Sequence, residues 1–326
     1  MLSLHAVTAA DLPFRQTLLA DPATMAYNAP WAPPEGTLPF PETAWAAWLE
    51  KWTGHAPERW CGIVTTEDGT PVGEVCWHGG GAEIGVVIHA AHRGRGLGAE
   101  AIALLAAEAF RHGEITQLCN RFEAGRETAL RLHLRAGFVV TGEQDGLLTL
   151  RLTRERWEGR RRDAWLRAVL DAMCLFDAGD PKRIHHLLKV HALARQIGLH
   201  EGLDENTLFT LEVAALVHDI GIRPAEAQFG RCTGEMQERL GPPEAERLLG
   251  ELGLPAPVIR RVSFLVGHHH TTRDVAGIDW QILLEADFLV NLYEEPYSPE
   301  VIDTYGKNVF RTPEGLRLLS QLRQAP

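Results

Sequence analysis

The spacing of apolar residues changes near residue 157, and that change decides most of what the chain can fold into. Before it, runs such as CGIVTTED (61–68), PVGEVCWH (71–78) and AEIGVVIH (82–89) have the length and alternation of β-strands. After it, nearly every segment repeats apolar residues at three- and four-residue spacing, as helices do. A chain of 326 residues also exceeds one ordinary domain. We therefore expect an α/β domain with a mixed, mostly antiparallel sheet over residues 1–157 and a separate all-α helical domain over 158–326.

Within the first domain the three strands should form a meander, the first two joined by a turn at Asp68-Gly69. A Gly-rich turn follows, then a helix over 96–113, a strand over 116–122, a helix over 126–138, and strands over 138–144 and 147–153. The stretch between Asn28 and Trp52 holds five prolines and four tryptophans. Either these aromatics wall a substrate pocket or they fill the core beneath a long loop. In the second domain we expect helices over 161–176, 181–198, 205–221, 242–253, 256–270, 279–295 and 313–324, separated by Gly, Pro or Asp.

Both halves are acidic within a net charge of -11, which disfavours a binder of the nucleic-acid backbone. Five cysteines, an odd number with no C-x-x-C pair, read as buried free thiols of a reducing compartment. MLSLHAVTAADLPF lacks a basic region followed by an apolar one, and no run of 18 uncharged apolar residues occurs. These features suggest a cytoplasmic protein with no membrane partner. Its partner would be a small-molecule or amine substrate, and self-association into a homo-oligomer is left open.

The Gly-rich turn Arg93-Gly94-Arg95-Gly96-Leu97-Gly98 lies between an apolar strand and a long apolar helix. Backbone amides there can cradle an anion, helped by the positive end of the helix dipole. It lacks the Gly-Lys-Ser/Thr of a nucleoside-triphosphate loop and the βαβ context of a dinucleotide fold. Arg93, Gly96 and Gly98, with ALRLHLRAGF downstream, resemble the GNAT acyltransferase superfamily, in particular its RimL-like N-acetyltransferases, over residues 2–156. The resemblance implies that acetyl-CoA sets its pyrophosphate on Arg93, Gly94, Arg95, Gly96, Leu97 and Gly98. Its pantetheine arm would pair along the strand at Val86 and Ile88. His133 stands where the family often has a tyrosine acid, and Glu74 and Glu123 are the carboxylates available as base.

The second domain raises a different problem. AALVHDIGI reads as an apolar helix, yet it buries His218 beside Asp219, and ILLEADFLVNL does the same with Asp287. His186, in RIHHLLKVHALA, shares a helix face with apolar Val190. Burying such groups costs several kcal/mol, roughly, unless they are paired or bind a metal, and one divalent cation resolves all four.

The order His186, His218-Asp219, Asp287 resembles the HD superfamily of metal-dependent phosphohydrolases, over residues 163–322. The resemblance implies that these four residues hold a divalent metal, of which Mn, Fe, Zn, Co and Mg are all admissible. Metal-activated water would then attack a phosphoester of a small phosphorylated or nucleotide substrate. Binuclear members add two histidines between the His-Asp pair and the last Asp. Here no histidine occurs from 219 to 267, and Gln237 stands near the first expected place. His268, His269 and His270 then come together; we expect one of them, His268 or His269, to reach a second metal or the substrate, and Arg183 to clamp a phosphate. The missing ligand favours a mononuclear hydrolase over a di-iron oxygenase. The expectation is a bifunctional enzyme, N-acyltransferase and phosphohydrolase, with a catalytically silent, acyl-CoA-sensing first domain as the alternative.

Overall fold

The computed structural model describes residues 2–29, 32, 35–81, 83–295 and 297–323, without the side chains of Tyr293 and Arg323. Its strands are β1 (Ser3–Ala6), β2 (Arg59–Thr65), β3 (Pro71–His78), β4 (Glu83–Ile88), β5 (Gln117–Glu123), β6 (Val139–Gln144) and β7 (Leu147–Thr153). Helices α1 (Leu12–Ala20), α2 (Pro22–Met25), α3 (Trp45–Trp52), α4 (Leu97–Ala109) and α5 (Glu127–Ala136) lie among them. Nine more helices follow: α6 (Arg154–Phe176), α7 (Pro181–His200), α8 (Glu205–Val217), α9 (Ile222–Phe229), α10 (Gly234–Glu251), α11 (Ala256–Val266), α12 (Ile278–Glu294), α13 (Pro299–Asn308) and α14 (Pro313–Arg323). The chain divides into two compact units, Met1–Arg160 and Arg161–Pro326, so the division falls within α6.

In the first unit β1-β2-β3-β4 form one antiparallel sheet and β5-β7-β6 another. The two meet where Cys119 N donates to Gly81 O at 3.0 Å; beyond that point no ladder joins β4 to β5 among the described residues. Val75, Trp77, Ile84 and Ile88 face α4, whose Ala101, Ile102, Leu105, Ala106 and Ala109 fall on one helical stripe. Glu74, Cys76 and Val87 alternate to the opposite face. There Leu12 and Leu19 of α1, with Phe40 and the α3 tryptophans Trp45, Trp48 and Trp52, pack over Cys61 and Ile63. Those tryptophans are core filling on this face. Pro30, Trp31, Pro33 and Pro34 of the same stretch lie outside the described residues, as does Ala82 of the third expected strand. All five cysteines are free, but only Cys61 is buried and the rest are partly exposed, which corrects the expectation of five buried thiols.

The second unit is entirely helical. Helix α8 is buried from Leu208 to Val217 and is bordered by α7, α11 and α12. An apolar helix of this kind has no wet face, so it must sit at the centre of its unit. Helix α12 crosses it carrying Glu285, which is fully buried. Glu285 accepts hydrogen bonds from Arg311 N (2.6 Å), Thr312 N (3.0 Å) and Gln281 Nε2 (2.7 Å), and from the Thr312 hydroxyl. These fix the chain just before α14.

Helices α9 and α13 were not expected, and α10 starts eight residues before its expected start at Pro242. Pro224 and the pair Pro242-Pro243 read as breaks. An interior proline costs about 3 kcal/mol, yet α10 continues through the pair. Its buried face of Gly241, Ala245, Leu248 and Leu249 packs on α11 and outweighs that cost. The turn before α9 also approaches α10 closely, at Gly221 and Gly241. A Cβ on Gly221 would lie 2.6 Å from Gln237 O and 3.0 Å from Gly241 N, both backbone atoms. Gly221→Ala should therefore destabilise the second unit by about 1–3 kcal/mol through overpacking, seen as a lower unfolding midpoint; an unchanged midpoint would contradict the close approach.

Candidate functional site

In the first unit the turn between β4 and α4 is shaped by glycine. Gly94 and Gly96 have φ of +79° and +80°, left-handed values that residues with a Cβ avoid. A Cβ on either would meet nothing within 4 Å, so the space above the turn is open. Arg93 does not face that space. Its guanidinium donates to Ile88 O (3.0 Å), Ala23 O (3.2 Å) and Thr24 O (2.6 Å) and so anchors the loop. The backbone N–H groups of Gly94, Arg95 and Gly96 find no partner among the described residues. With the first-turn amides of Leu97 and Gly98 they make a patch of donors suited to an anion.

The adjoining strand edge has a defined phase. His89 N donates to Val72 O at 2.9 Å, and the register pairs Val75 with Val86 and Gly73 with Ile88. By the alternation of an antiparallel ladder, the backbone groups of Val86 and Ile88 then point off the outer edge, away from β3. Ile88 O is taken by Arg93, which leaves Val86 as the open rung.

The expected acid and bases are placed less favourably. His133 is buried, with Nδ1 2.8 Å from Ala129 O and Nε2 2.8 Å from Asn120 Nδ2, between the rings of Phe122 and Phe138. Its Nδ1–H donates to the carbonyl, so Nε2 accepts from the amide. Burial, helped by Arg126 and opposed by the Ala129 bond, pushes its pKa down. A buried imidazole with both nitrogens engaged is placed less favourably as a proton donor than its position before Gly137-Phe138 suggests. Glu74 is buried 2.7 Å from Arg15 Nε, and Arg15 stacks on Phe40 and Trp48. Burial raises its pKa against the pull of Arg15, and as a base it would have to leave that ion pair. Glu123 ends β5, 3.7 Å from Arg126. The nearby thiols are no alternative, since desolvation of the sulfur by the surrounding protein, although the residue as a whole keeps some exposure, and the neighbouring Glu74 push Cys76 up to about 12.

In the second unit four distant residues converge. His186 comes from α7, His218 and Asp219 from the turn after α8, and Asp287 from α12. Because α8 ends at Val217 and α9 begins at Ile222, His218 and Asp219 are not held at the 100° divergence of helical neighbours. His186 Nε2 lies 3.2 Å from His218 Nε2, 3.1 Å from Asp287 Oδ1 and 3.6 Å from Asp219 Oδ2. His218 Nε2 lies 3.5 Å from Asp219 Oδ2 and 3.6 Å from Asp287 Oδ1.

The other ring nitrogens decide what these atoms are. His186 Nδ1 is 3.0 Å from Glu294 Oε2, and His218 Nδ1 is 2.9 Å from Ala215 O. Both Nδ1 atoms therefore carry the proton, and both Nε2 atoms turn lone pairs inward. Four acceptors facing one point repel unless a cation sits between them. Ligand atoms about 2.1 Å from a shared ion stand about 3.0–3.4 Å apart in octahedral or tetrahedral sites; the separations of 3.1 and 3.2 Å from His186 Nε2 fall in that range, and the other three, 3.5–3.6 Å, lie slightly beyond it. With no cation the charge must come from protons. Burial opposes protonation of His218, but Asp219 and Asp287 push it up to about 9. Both carboxyls are held far below the usual range, against their burial, by the facing histidines.

A second cluster adjoins the first. Asp219 Oδ1 is 3.5 Å from His269 Nε2, and Gln237 Oε1 is 3.2 Å from that atom and 3.0 Å from His270 Nε2. Asp219, His269 and His270 could hold a cation. A glutamine amide can also turn its NH₂ toward both imidazoles, so this cluster does not demand an ion as the first one does. His268 is not part of it. Its Nδ1 bonds Phe264 O at 2.7 Å and its ring stacks on Phe264, so His270 replaces it among the residues facing Gln237. Arg183 is paired with Asp180 at 3.2 Å and with Glu226, and a phosphate would have to displace these carboxylates. It lines an open cleft of about 920 Å3 with Phe176, Arg223 and Glu244.

Comparison with known families agrees with this geometry. Residues 2–139 match the acetyltransferase (GNAT) domain and residues 183–305 the HD domain. The chain joins a GNAT domain to an HD domain. Among solved structures it is similar to a spermidine N-acetyltransferase from Vibrio cholerae in complex with CoA and spermine, at 17% identity and TM-score 0.40 over 48% of this chain and 98% of that one. It is also similar to the aminoglycoside acetyltransferase AAC(6')-Ib in complex with coenzyme A, at 19% identity and TM-score 0.40 over 49% and 99%. No curated protein matches the chain. Among the described residues no helix is long and apolar enough to cross a membrane.

Missed in the sequence were Glu294 and Asn291, which donates to Asp287 Oδ1 at 3.0 Å. The signal was present: Asp287, Asn291 and Glu294 recur at i, i+4 and i+7, a polar stripe on an apolar helix.

Two outcomes follow from the geometry. His218→Ala should weaken divalent-cation binding at least about 100-fold while His268→Ala leaves it unchanged, as measured by calorimetric titration; equal losses would contradict the placement of His268. For His133 the native pKa lies below the unfolded value of 6.5. Its contribution to stability is therefore present above 6.5 and lost as pH falls toward the native value. His133→Gln should flatten the pH dependence of unfolding of the GNAT domain between about pH 7 and 5, and should retain whatever acyl transfer the wild type shows.

Proposed function

We propose that the chain is a bifunctional enzyme. Its GNAT domain transfers the acetyl group of acetyl-CoA to a small-molecule amine, and its HD domain is a divalent-cation phosphohydrolase for a small phosphorylated or nucleotide substrate. The observation that carries the second half is the grouping of His186, His218 and Asp219, with Asp287 Oδ1 3.1 and 3.6 Å from the two imidazole Nε2 atoms. A cation held there supplies a Lewis acid that polarises a phosphoryl oxygen and acidifies water. His186, His218, Asp219 and Asp287 are the residues that would hold it. The apolar walls of α8, with Ala214, Ala215 and Val217 fully buried, keep bulk water from competing.

In the GNAT domain the open amides of Gly94, Arg95 and Gly96 would take the cofactor's pyrophosphate, and the outer edge at Val86 its pantetheine arm. The substrate nitrogen attacks the thioester carbonyl carbon, the C–S bond breaks, and the thiolate must gain a proton. For His133 to supply it, Nε2 would have to leave Asn120 and carry a proton. A second reading therefore stands on a specific observation: with His133 sealed in the core and Glu74 paired with Arg15, the domain binds acyl-CoA as a sensor and transfers nothing.

Thiol release from acetyl-CoA across a panel of amines separates the two readings. Transfer predicts amine-dependent thiol, whereas the sensor predicts CoA binding with none. Elemental analysis coupled to phosphatase and phosphodiesterase substrates tests the HD half. About one divalent ion per chain with phosphate release is expected. Two irons with O₂ consumption would overturn the hydrolase reading in favour of an oxygenase.

A further inference from the structure

We propose that Glu294 is the positioning residue of the cation site, orienting His186 toward its partners through the Nδ1 contact, with Lys189 holding Glu294 in place. The proposal rests on the cation-site reading and goes beyond it, since Glu294 contacts none of the four converging atoms.

The histidines of the site are not held alike. His218 and His269 set their Nδ1 atoms on backbone carbonyls of Ala215 and Val266, at 2.9 and 2.7 Å. Each such carbonyl belongs to the histidine's own preceding turn, so those rings are fixed by local chain geometry alone. His186 differs because its Nδ1 lies 3.0 Å from a carboxylate oxygen of α12, 108 residues away in sequence. The side chains of both partners are about nine-tenths buried. The other oxygen of Glu294 is ion-paired with Lys189, which lies one turn beyond His186 on α7 and so on the same face. One carboxylate thus ties two residues of α7 to the helix that also supplies Asp287.

Two consequences follow for the ring. A carboxylate fixes the Nδ1–H tautomer, which leaves Nε2 as the inward lone pair, and it raises the donor strength of that nitrogen. It also fixes the torsion of a side chain that has no carbonyl of its own turn to lean on. Asp287 is oriented from the same helix by Asn291. Helix α12 therefore provides one direct contact and two orienting groups, at i, i+4 and i+7.

The test uses the full-length protein stripped of metal and titrated calorimetrically with Mn2+, Fe2+, Co2+, Zn2+ and Mg2+ in turn. Glu294→Ala should weaken the tightest of these by about 10–100-fold. Glu294→Gln keeps an oxygen that can accept the Nδ1 proton, so it should recover part of that loss. Thermal unfolding of the metal-free variants provides the control, because a merely structural role would lower the midpoint without changing affinity in the molecules that remain folded. Wild-type affinity in both variants would overturn the assignment of Glu294 while leaving the cation site intact. Failure of the wild type to bind any of the five ions would overturn the cation site, and the role of Glu294 with it.

Discussion

Two imidazole nitrogens and two carboxylate oxygens turned toward one buried point set the terms for the whole helical unit. Such a cluster is repulsive by itself, and in a low-dielectric interior the repulsion is felt strongly. Three of the four groups are clamped from behind: His186 by Glu294, His218 by the Ala215 carbonyl, Asp287 by Asn291; Asp219 turns its other oxygen toward His269. The clamps need helices α7, α8 and α12 in one relative placement, and the apolar surround of α8 provides it. Packing here serves polarity. Val213, Ala214, Leu216 and Val217 are buried less to fill space than to hold His218 where a charge must be shared.

The GNAT domain solves a lighter problem with backbone alone. Left-handed glycines expose amides that no side chain has to orient, and Arg93 spends its charge on carbonyls to keep the turn in shape. Recognition of an anion by main-chain N–H groups tolerates wide changes in side chains. It explains why the turn is recognisable in a chain whose neighbouring acid and base positions look unlike a working catalytic pair.

Much of this was legible in the sequence, for identifiable reasons. Strands β2 to β7 and helices α4 and α5 showed because their periodicities are regular and their turns carry glycine, whereas the four-residue β1 is too short to show a period. His186, His218, Asp219 and Asp287 stood out because each interrupts an apolar pattern. Proline misled where it usually informs, since Pro242 and Pro243 sit inside α10, and a helix packed along one whole face can absorb that cost. The burial of His133 was not legible because a position in a motif says nothing of it, and the Phe122 and Phe138 rings that enclose it come from separate elements. His268, His269 and His270 could not be told apart, as three consecutive residues at a helix end point three ways and only the backbone decides which.

Glu285 gives α12 a second commitment. Two residues before Asp287, and so on a different side of the same helix, it gathers the amides of Arg311 and Thr312 that precede the last helix. Asp287 and the segment that precedes α14 are thereby fastened to one rod. One helix thus carries Asp287, Asn291 and Glu294 on one stripe and, on another, the buried carboxylate that receives the chain before α14, so a substitution that unseats Glu285 acts on the same element that presents Asp287.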